Sequence, residues 1–371
     1  MQNKHFSTTL NNHQQPVNNI DRHIIHTHAP LREAFRKLNA LSGGNMTLFV
    51  IDPERGDALV GSLTDGDLRR AVIAEASLDR SVGQACRKDC MKLTSGADRF
   101  RAITEARRRG IALLPVIDKE TGAILELIDL QKVKSHLPLD AVLMAGGKGE
   151  RLRPLTLDCP KPLLPVGDKA IIDYNIEELR ANGINNIYVT VNYLKEQIIQ
   201  HFSAPEYSGC VKCVEEPRRL GTIGSLSLIT EGLKEENLLL MNSDLLTTLS
   251  YEKMYLQHVA SGAAVTMGVI PYSVSIPFAI IRSEGRRITG LTEKPTYNYF
   301  ANAGVYMIRR EFTERLPKGE YMDAPDFIEQ LIAAGEKVEY YPIEGLWVDI
   351  GSPDDYRYAN ELSKVAGGLL R

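Results

Sequence analysis

A chain of 371 residues is too long for one ordinary core and is read as two or three domains. Its 43% apolar and 25% charged residues are typical of a water-soluble globular protein. A formal charge of -3 offers no global attraction to nucleic acid or to an anionic membrane, so any anion site has to be local.

Residues 1–18 are polar and are read as a flexible tail, without the apolar core of a secretion signal; the expected compartment is the cytoplasm. The five cysteines, an odd number in a long chain, read as thiols rather than a disulfide framework. Cys210 and Cys213 form a C-x-x-C, but "GCVKCVEE" reads as a strand, where residues three apart point to opposite faces. His23, His26 and His28 have no cysteine or second histidine pair nearby and are read as surface residues.

A repeat follows. "LREAFRKLNALSGG" spaces Leu31, Ala34, Phe35, Leu38 and Leu41 as a helix, then come "MTLFVID", a turn at "PERGD" and "ALVGSLTD". The same order returns as "DRFRAITEARRRG", "IALLPVID", "KETG" and "AILELID", so two helix–strand–turn–strand units fill residues 19–136. The basic run Arg107-Arg108-Arg109 is read as a solvated helix face. The repeat resembles a tandem pair of CBS domains, modules of α+β type that bind adenine nucleotides and regulate an attached enzyme. In "GSLTDGDLRRAV", Thr64 and Asp67 match the residues with which that family grips a ribose. They also suit the cap and first turn of a helix. The second copy has Asp129 and Lys132 at these places, so the resemblance implies one conventional nucleotide site at most.

Pro138 marks a boundary, after which a fresh strand, "AVLMA", begins. From 137 to 371 strands alternate with helices: "AIIDYNIEELRANG" reads as a helix closed by Gly183, "NIYVTVN" as a strand, "YLKEQIIQHF" as a helix, and "NLLLMNSD" as a buried strand. This is the pattern of an α/β domain with a mostly parallel sheet, whose ligands bind beyond the carboxyl ends of the strands. "AGGKGER" and "NSD" fall there.

The loop "AVLMAGGKGERLRPLT" fits neither common phosphate motif. From Gly147 it reads G-K-G-E-R-L, with Leu152 in place of the third dinucleotide glycine, and no G-x-x-x-x-G-K-[ST] is present. Its small residues let backbone N–H groups approach a phosphate or base, with Arg151 as a bidentate donor.

The stretch "LMAGGKGERLRPLTLDCPKPLLPVGDKAIIDY" resembles the signature of the sugar-1-phosphate nucleotidyltransferases. "RRLGTIGSL", "NSD", "LTEKP", "NAGVYMI" and "WVDIGSPDDY" follow in order to residue 356. The resemblance implies a Rossmann-like catalytic domain over 137–371 behind the CBS pair. By position, Ala145, Gly146, Gly147, Gly149, Glu216, Gly221 and Thr222 resemble the nucleotide site. Arg151 matches the arginine at the departing pyrophosphate, and Lys161 the lysine at the α-phosphate. Asp244 and Asp349 match the carboxylates holding Mg²⁺. Glu293, Lys294, Asn302 and Gly304 match the sugar-phosphate site. Retention of these polar residues argues against a non-catalytic scaffold.

A sugar phosphate is already largely dianionic at neutral pH, its second pKa being about 6, so the reaction needs positioning and charge neutralisation rather than a general base. Glu215 and Glu216 lean towards guanine, whose N1–H and exocyclic amine suit a carboxylate, so GTP is the expected donor, with UDP- or dTDP-sugar synthesis as the alternative. Resemblance further implies a homodimer or higher oligomer and a role in bacterial surface-glycan precursor synthesis.

Overall fold

The protein, described as a computed structural model over residues 20–75 and 77–365, divides between His136 and Leu137 into two units. The expected tail over 1–18 lies outside the described residues.

In the first unit, β1 (Ile24–His26) precedes α1 (Leu31–Ala40), β2 (Thr47–Asp52), β3 (Ala58–Thr64), α2 (Asp65–Ala74) and the single turn α3 (Val82–Ala85). Then β4 (Leu93–Thr94), α4 (Arg99–Arg108), β5 (Leu113–Ile117) and β6 (Ile124–Asp129) repeat the order. Each copy forms a three-stranded sheet, β1-β2-β3 and β4-β5-β6, with a short parallel edge strand and an antiparallel pair. Helical spacing puts Leu31, Ala34 and Leu38 on one face of α1, where they pack with Leu48, Val50 and Leu63. Ile103 and Ala106 of α4 pack equivalently with Leu114, Val116 and Ile128. Phe49, Leu59, Leu113 and Leu127 join strands of both copies in one core.

One sequence expectation changes here. His23 is not a surface residue: it is buried, its Nδ1 is 2.8 Å from the Thr47 carbonyl oxygen, and only His26 and His28 retain exposure. The arginine run keeps its expected solvated face at Arg108 and Arg109, which are exposed. Arg108 and Arg109 both donate to Glu105, at 2.7 and 2.5 Å, and Arg107 donates to the Val133 carbonyl.

The second unit opens with β7 (Leu139–Met144), a small hairpin of β8 (Pro165–Val166) and β9 (Lys169–Ala170), and α5 (Ile171–Ala181). Ile172, Ile176 and Leu179 form the buried stripe of α5. There follow β10 (Ile187–Val191), α6 (Lys195–Phe202), β11 (Val211–Glu215), β12 (Asn237–Asn242), β13 (Leu245–Thr247) and α7 (Tyr251–Ser261). The remainder is β14 (Val265–Ser275), β15 (Ile280–Glu284), β16 (Arg287–Thr292), β17 (Thr296–Arg309), α8 (Arg310–Thr313), α9 (Ala324–Ala333), β18 (Val338–Pro342), β19 (Trp347–Asp349) and α10 (Pro353–Val365).

Seven of these strands form one sheet, ordered β11-β10-β7-β12-β17-β14-β18. All run parallel except β17, which is antiparallel to both neighbours. Continuous burial along β7, β10 and β12 is what a sheet covered on both faces requires. Val142, Leu238, Leu240 and Ile308 of the sheet share a core with Phe327 and Leu331 of α9. A second core of Leu152, Ile171, Leu246, Val348 and Ile350 lies under the β13–β19 pair. Asp244 directly precedes β13 and Asp349 ends β19, so this core underlies both residues.

Candidate active site

The loop after β7 begins at Ala145, buried and held by its N–H to the Thr190 carbonyl at 2.9 Å. Gly146 faces Glu216: a Cβ there would lie 3.1 Å from Glu216 Oε1 and 3.3 Å from Asn192 Cβ. Glu216 is itself buried, and its Oε2 accepts the Leu220 N–H at 3.1 Å. Burial pushes its carboxyl above the usual range, against the pull of the Leu220 hydrogen bond. Gly147 has open space around its missing side chain. Gly149 is left-handed, with φ 59°, and a Cβ there would meet Thr156 at 3.0 Å and Lys161 Cβ at 3.1 Å. The glycine therefore fits the turn and lets the loop rest on the lysine stem.

Lys161 pairs with Asp244 and stands 3.7 Å from Asp349. The two aspartates meet because β13 and β19 pair antiparallel, Leu245 opposite Asp349, with the Ile350 N–H donating to the Asp244 carbonyl at 3.2 Å. Arg151 closes the group: its Nη2 is 2.9 Å from where a Cβ on Gly351 would lie. Thus Arg151, Lys161, Asp244 and Asp349, separate in sequence, converge below the glycine loop. Burial, and then the charge of Asp244, push the Asp349 carboxyl up, while Lys161 and Arg151 pull it down. Oδ1 of Asp244 is buried with no hydrogen-bond partner among the described residues. An unsatisfied carboxylate oxygen beside a second carboxylate suits a small hard cation, which takes one or two carboxylates and completes its shell with water and phosphate. The residues present fit Mg²⁺.

Gly221 and Thr222 are built into a clasp with the segment before α9. Thr222 donates its N–H to Asp323 at 3.0 Å, and its Oγ1 accepts the Ala324 N–H at 2.7 Å. Gly221 lies against the Met322 carbonyl so closely that a side chain would have to displace it. The structure thus gives both residues a role in fixing the loop after Glu216.

Asn302 and Gly304 lie where β17 enters the sheet. Asn302 donates to the Tyr306 hydroxyl at 2.6 Å and accepts the Gly304 N–H at 2.9 Å. Gly304 has φ 70° and abuts Asn242, at the end of β12. Close by, Trp347 Nε1 donates to the Ala303 carbonyl at 3.0 Å, and its ring helps line an open hollow of about 610 Å³ with Ile270, Phe300, Ile343 and Glu344. Trp347 stands two residues before Asp349 on β19, while none of Arg151, Lys161, Asp244 and Asp349 lines the hollow. Glu293 and Lys294 are placed elsewhere. They form an exposed turn between β16 and β17, and among the described residues no hydrogen bond or ion pair joins them to the group above.

In the first unit, Thr64 and Asp67 form a capping box at α2. The Thr64 N–H and hydroxyl donate to Asp67 Oδ2 at 2.8 and 2.6 Å, and Arg70 donates to Oδ1 at 2.6 Å. Burial acts to raise the Asp67 carboxyl and is outweighed by these hydrogen bonds, leaving it lowered.

Asn192, Asn242, Asp323 and Trp347 were not singled out from the sequence. Asn192 and Asn242 stand at strand ends facing the loops, a position that was available as a signal. Trp347 opens the quoted "WVDIGSPDDY", whereas Asp323 carries no such signal, since its partner Thr222 lies far along the chain.

The family model for nucleotidyl transferase matches residues 140–364. The chain is 30% identical over 245 residues to the mannose-1-phosphate guanylyltransferase catalytic subunit beta of Dictyostelium discoideum, covering 62% of this chain and 68% of that protein. It is 28% identical to a mannose-1-phosphate guanylyltransferase of Mycobacterium tuberculosis, covering 59% of this chain and 62% of that one. The chain spans less than two thirds of the length of several curated relatives that it matches. A solved Bacillus anthracis protein, provisionally assigned as a glucose-1-phosphate thymidylyltransferase, shares the fold at 19% identity and TM-score 0.50, over 61% of this chain and 95% of that one.

Proposed function

The chain belongs to the nucleotidyl transferase family, and from that premise we propose that it transfers guanylate from GTP to a sugar 1-phosphate, forming a GDP-sugar and pyrophosphate. The observation that carries this reading is the convergence of Arg151, Lys161, Asp244 and Asp349 under a glycine loop that rests on Lys161.

The sugar phosphate oxygen forms a bond to the α-phosphorus as the bond from that phosphorus to the pyrophosphate oxygen breaks. The nucleophile is already ionised, so the residues need only hold two polyanions in line and offset their charge. Loop amides from Gly146 to Gly149 cradle the triphosphate, Lys161 holds the α-phosphate, and Arg151 stabilises the leaving pyrophosphate. Asp244 and Asp349 hold Mg²⁺, which when bound neutralises charge on the triphosphate. Asn302 and Gly304 border the sugar, and Glu293 with Lys294 receive its phosphate.

Glu216 supports guanine, being the buried carboxylate at the loop, and the relatives described as guanylyltransferases support it too. Mannose 1-phosphate is the first acceptor to test on the same ground. We further propose that the first unit is a tandem CBS module binding one adenine nucleotide near Thr64 and Asp67, that the protein works as a homodimer in the bacterial cytoplasm, and that its product feeds surface-glycan assembly. Among the described residues no helix is long and apolar enough to cross a membrane. The test is pyrophosphate release from GTP, UTP, dTTP or CTP paired with hexose, hexosamine and heptose 1-phosphates. Turnover confined to UTP or dTTP would overturn the guanine reading, and none with any pair would overturn the enzyme reading.

A further inference from the structure

Asn175 is an amide set into an apolar stripe. On α5 it stands among Ile171, Ile172, Ile176 and Leu179, all buried, and is itself only 3% exposed. An amide buried without partners costs about 1–3 kcal/mol, so a place for its N–H bonds has to be found. Nδ2 donates to the Ser243 carbonyl at 3.3 Å and to the Leu245 carbonyl at 3.0 Å. An amide nitrogen carries two N–H donors, one for each.

These carbonyls stand on either side of Asp244. Ser243 and Asp244 make the turn between β12 and β13, and that turn is tied to three neighbours. The Ser243 N–H and hydroxyl both donate to the carbonyl of Met144, the last residue of β7 before the glycine loop, at 3.3 and 2.6 Å. The carbonyl of Asp244 itself accepts the Ile350 N–H at 3.2 Å, from just beyond β19. Asn175 makes the third tie, from a helix that supplies none of the site residues described above. That helix is anchored in turn: the Tyr174 hydroxyl donates to the Val166 carbonyl at 2.7 Å, and Asp173 accepts from the Tyr207 hydroxyl at 2.9 Å.

What the ties hold is a carboxylate. Oδ2 of Asp244 faces Lys161, whereas Oδ1 is buried with no hydrogen-bond partner among the described residues. The place of Oδ1 is therefore set by the backbone from Ser243 to Leu245, and Asn175 bonds both ends of that stretch. Partners that fix a metal ligand from behind typically change metal affinity by about 10- to 100-fold when they are lost.

We propose that Asn175 is a positioning residue for the divalent cation, clamping the peptide groups on both sides of Asp244 so that its free carboxylate oxygen is already in place. The proposal rests on the reading of Asp244 and Asp349 as the cation-holding pair.

Asn175→Leu keeps the approximate volume and removes both donors. Mn²⁺ serves as the probe, titrated into the full-length chain without nucleotide and followed by the electron paramagnetic resonance signal of the free ion. Its Kd should rise about 10-fold in the variant. The Mg²⁺ concentration that half-saturates pyrophosphate release should rise by a similar factor, while kcat at saturating Mg²⁺ falls less than about threefold. A residue that only packs would lower the urea midpoint and leave both cation readouts unchanged, and that result overturns the proposal. Should Asn175→Leu not fold, Asn175→Ser, smaller and with one hydroxyl donor, is read in the same way. Asp244→Asn, titrated beside it, separates the two claims. Wild-type Mn²⁺ affinity in Asp244→Asn removes the cation reading and this proposal with it. Loss of Mn²⁺ binding there, with wild-type affinity in a folded Asn175 variant, overturns the role of Asn175 alone.

Discussion

Lys161 standing between two carboxylates makes a quantitative prediction. Its ammonium is 3.7 Å from Asp349 and closer to Asp244. At 3.7 Å the attraction to one carboxylate is about 4 kcal/mol for an effective dielectric of 20 and about 1 kcal/mol in water. The Asp349 side chain is 35% exposed, so screening places the attraction between these limits, about 2 kcal/mol. Lys161→Met keeps the stem against Gly149 and removes the charge. Asp349, already raised by burial and by Asp244, should rise further. A carboxyl raised in the folded state binds its proton more tightly there than in the unfolded chain. Its penalty is absent at low pH and grows as pH climbs from the unfolded value towards the folded one. Without Mg²⁺, the variant should therefore lose about 2 kcal/mol more than wild type as pH rises from the ordinary carboxyl range into the neutral range. Trp347, the single tryptophan, shares β19 with Asp349 and reports the urea transition of this unit. Added Mg²⁺ should restore part of the loss at pH 8 by mass action. Equal pH dependence in variant and wild type, or indifference to Mg²⁺, would refute the picture of a cation screening a carboxylate pair.

Three further outcomes can be measured. His258 is buried between Thr266 and Asn237, and burial, with Arg309, pushes its pKa down to about 4. The unfolded chain takes up the proton first as pH falls from about 6.5, so this residue costs about 2 kcal/mol of stability between pH 7 and 5, and His258→Gln should flatten the denaturation profile by that amount. Gly304→Ala meets both the left-handed backbone and Asn242, and should cost about 2 kcal/mol or more while raising KM for the sugar phosphate, seen by urea titration and initial rates. Asp67→Ala removes the α2 capping box and should lower stability by about 1 kcal/mol and abolish calorimetric binding of AMP or ATP; unchanged binding would count against the CBS reading.

What the sequence discloses here is what is local. The glycine loop, the strand ends carrying Asp244 and Asp349, and each copy of the helix–strand–turn–strand repeat are written in contiguous stretches, where periodicity and small side chains act directly. The burial of His23 was not legible, because it depends on the Thr47 carbonyl of a distant strand. The Thr222–Asp323 clasp was equally hidden, since its partners are about a hundred positions apart. The exposed turn of Glu293 and Lys294 between β16 and β17 is not legible either, because the order of a motif in the chain does not fix where a ribbon carries it. Asp67 was legible only as two roles at once, and the structure shows its carboxylate engaged by Thr64 and Arg70.

The most direct test of the central claim is the rate of pyrophosphate release from GTP and a sugar 1-phosphate in Mg²⁺, compared between wild type and Asp244→Asn. The account predicts wild-type turnover with one GDP-sugar formed per pyrophosphate, and a fall of about 1,000-fold in a variant whose urea transition is preserved. Undiminished turnover in Asp244→Asn, or no turnover by the wild type with any nucleotide and acceptor of the panel, would contradict it.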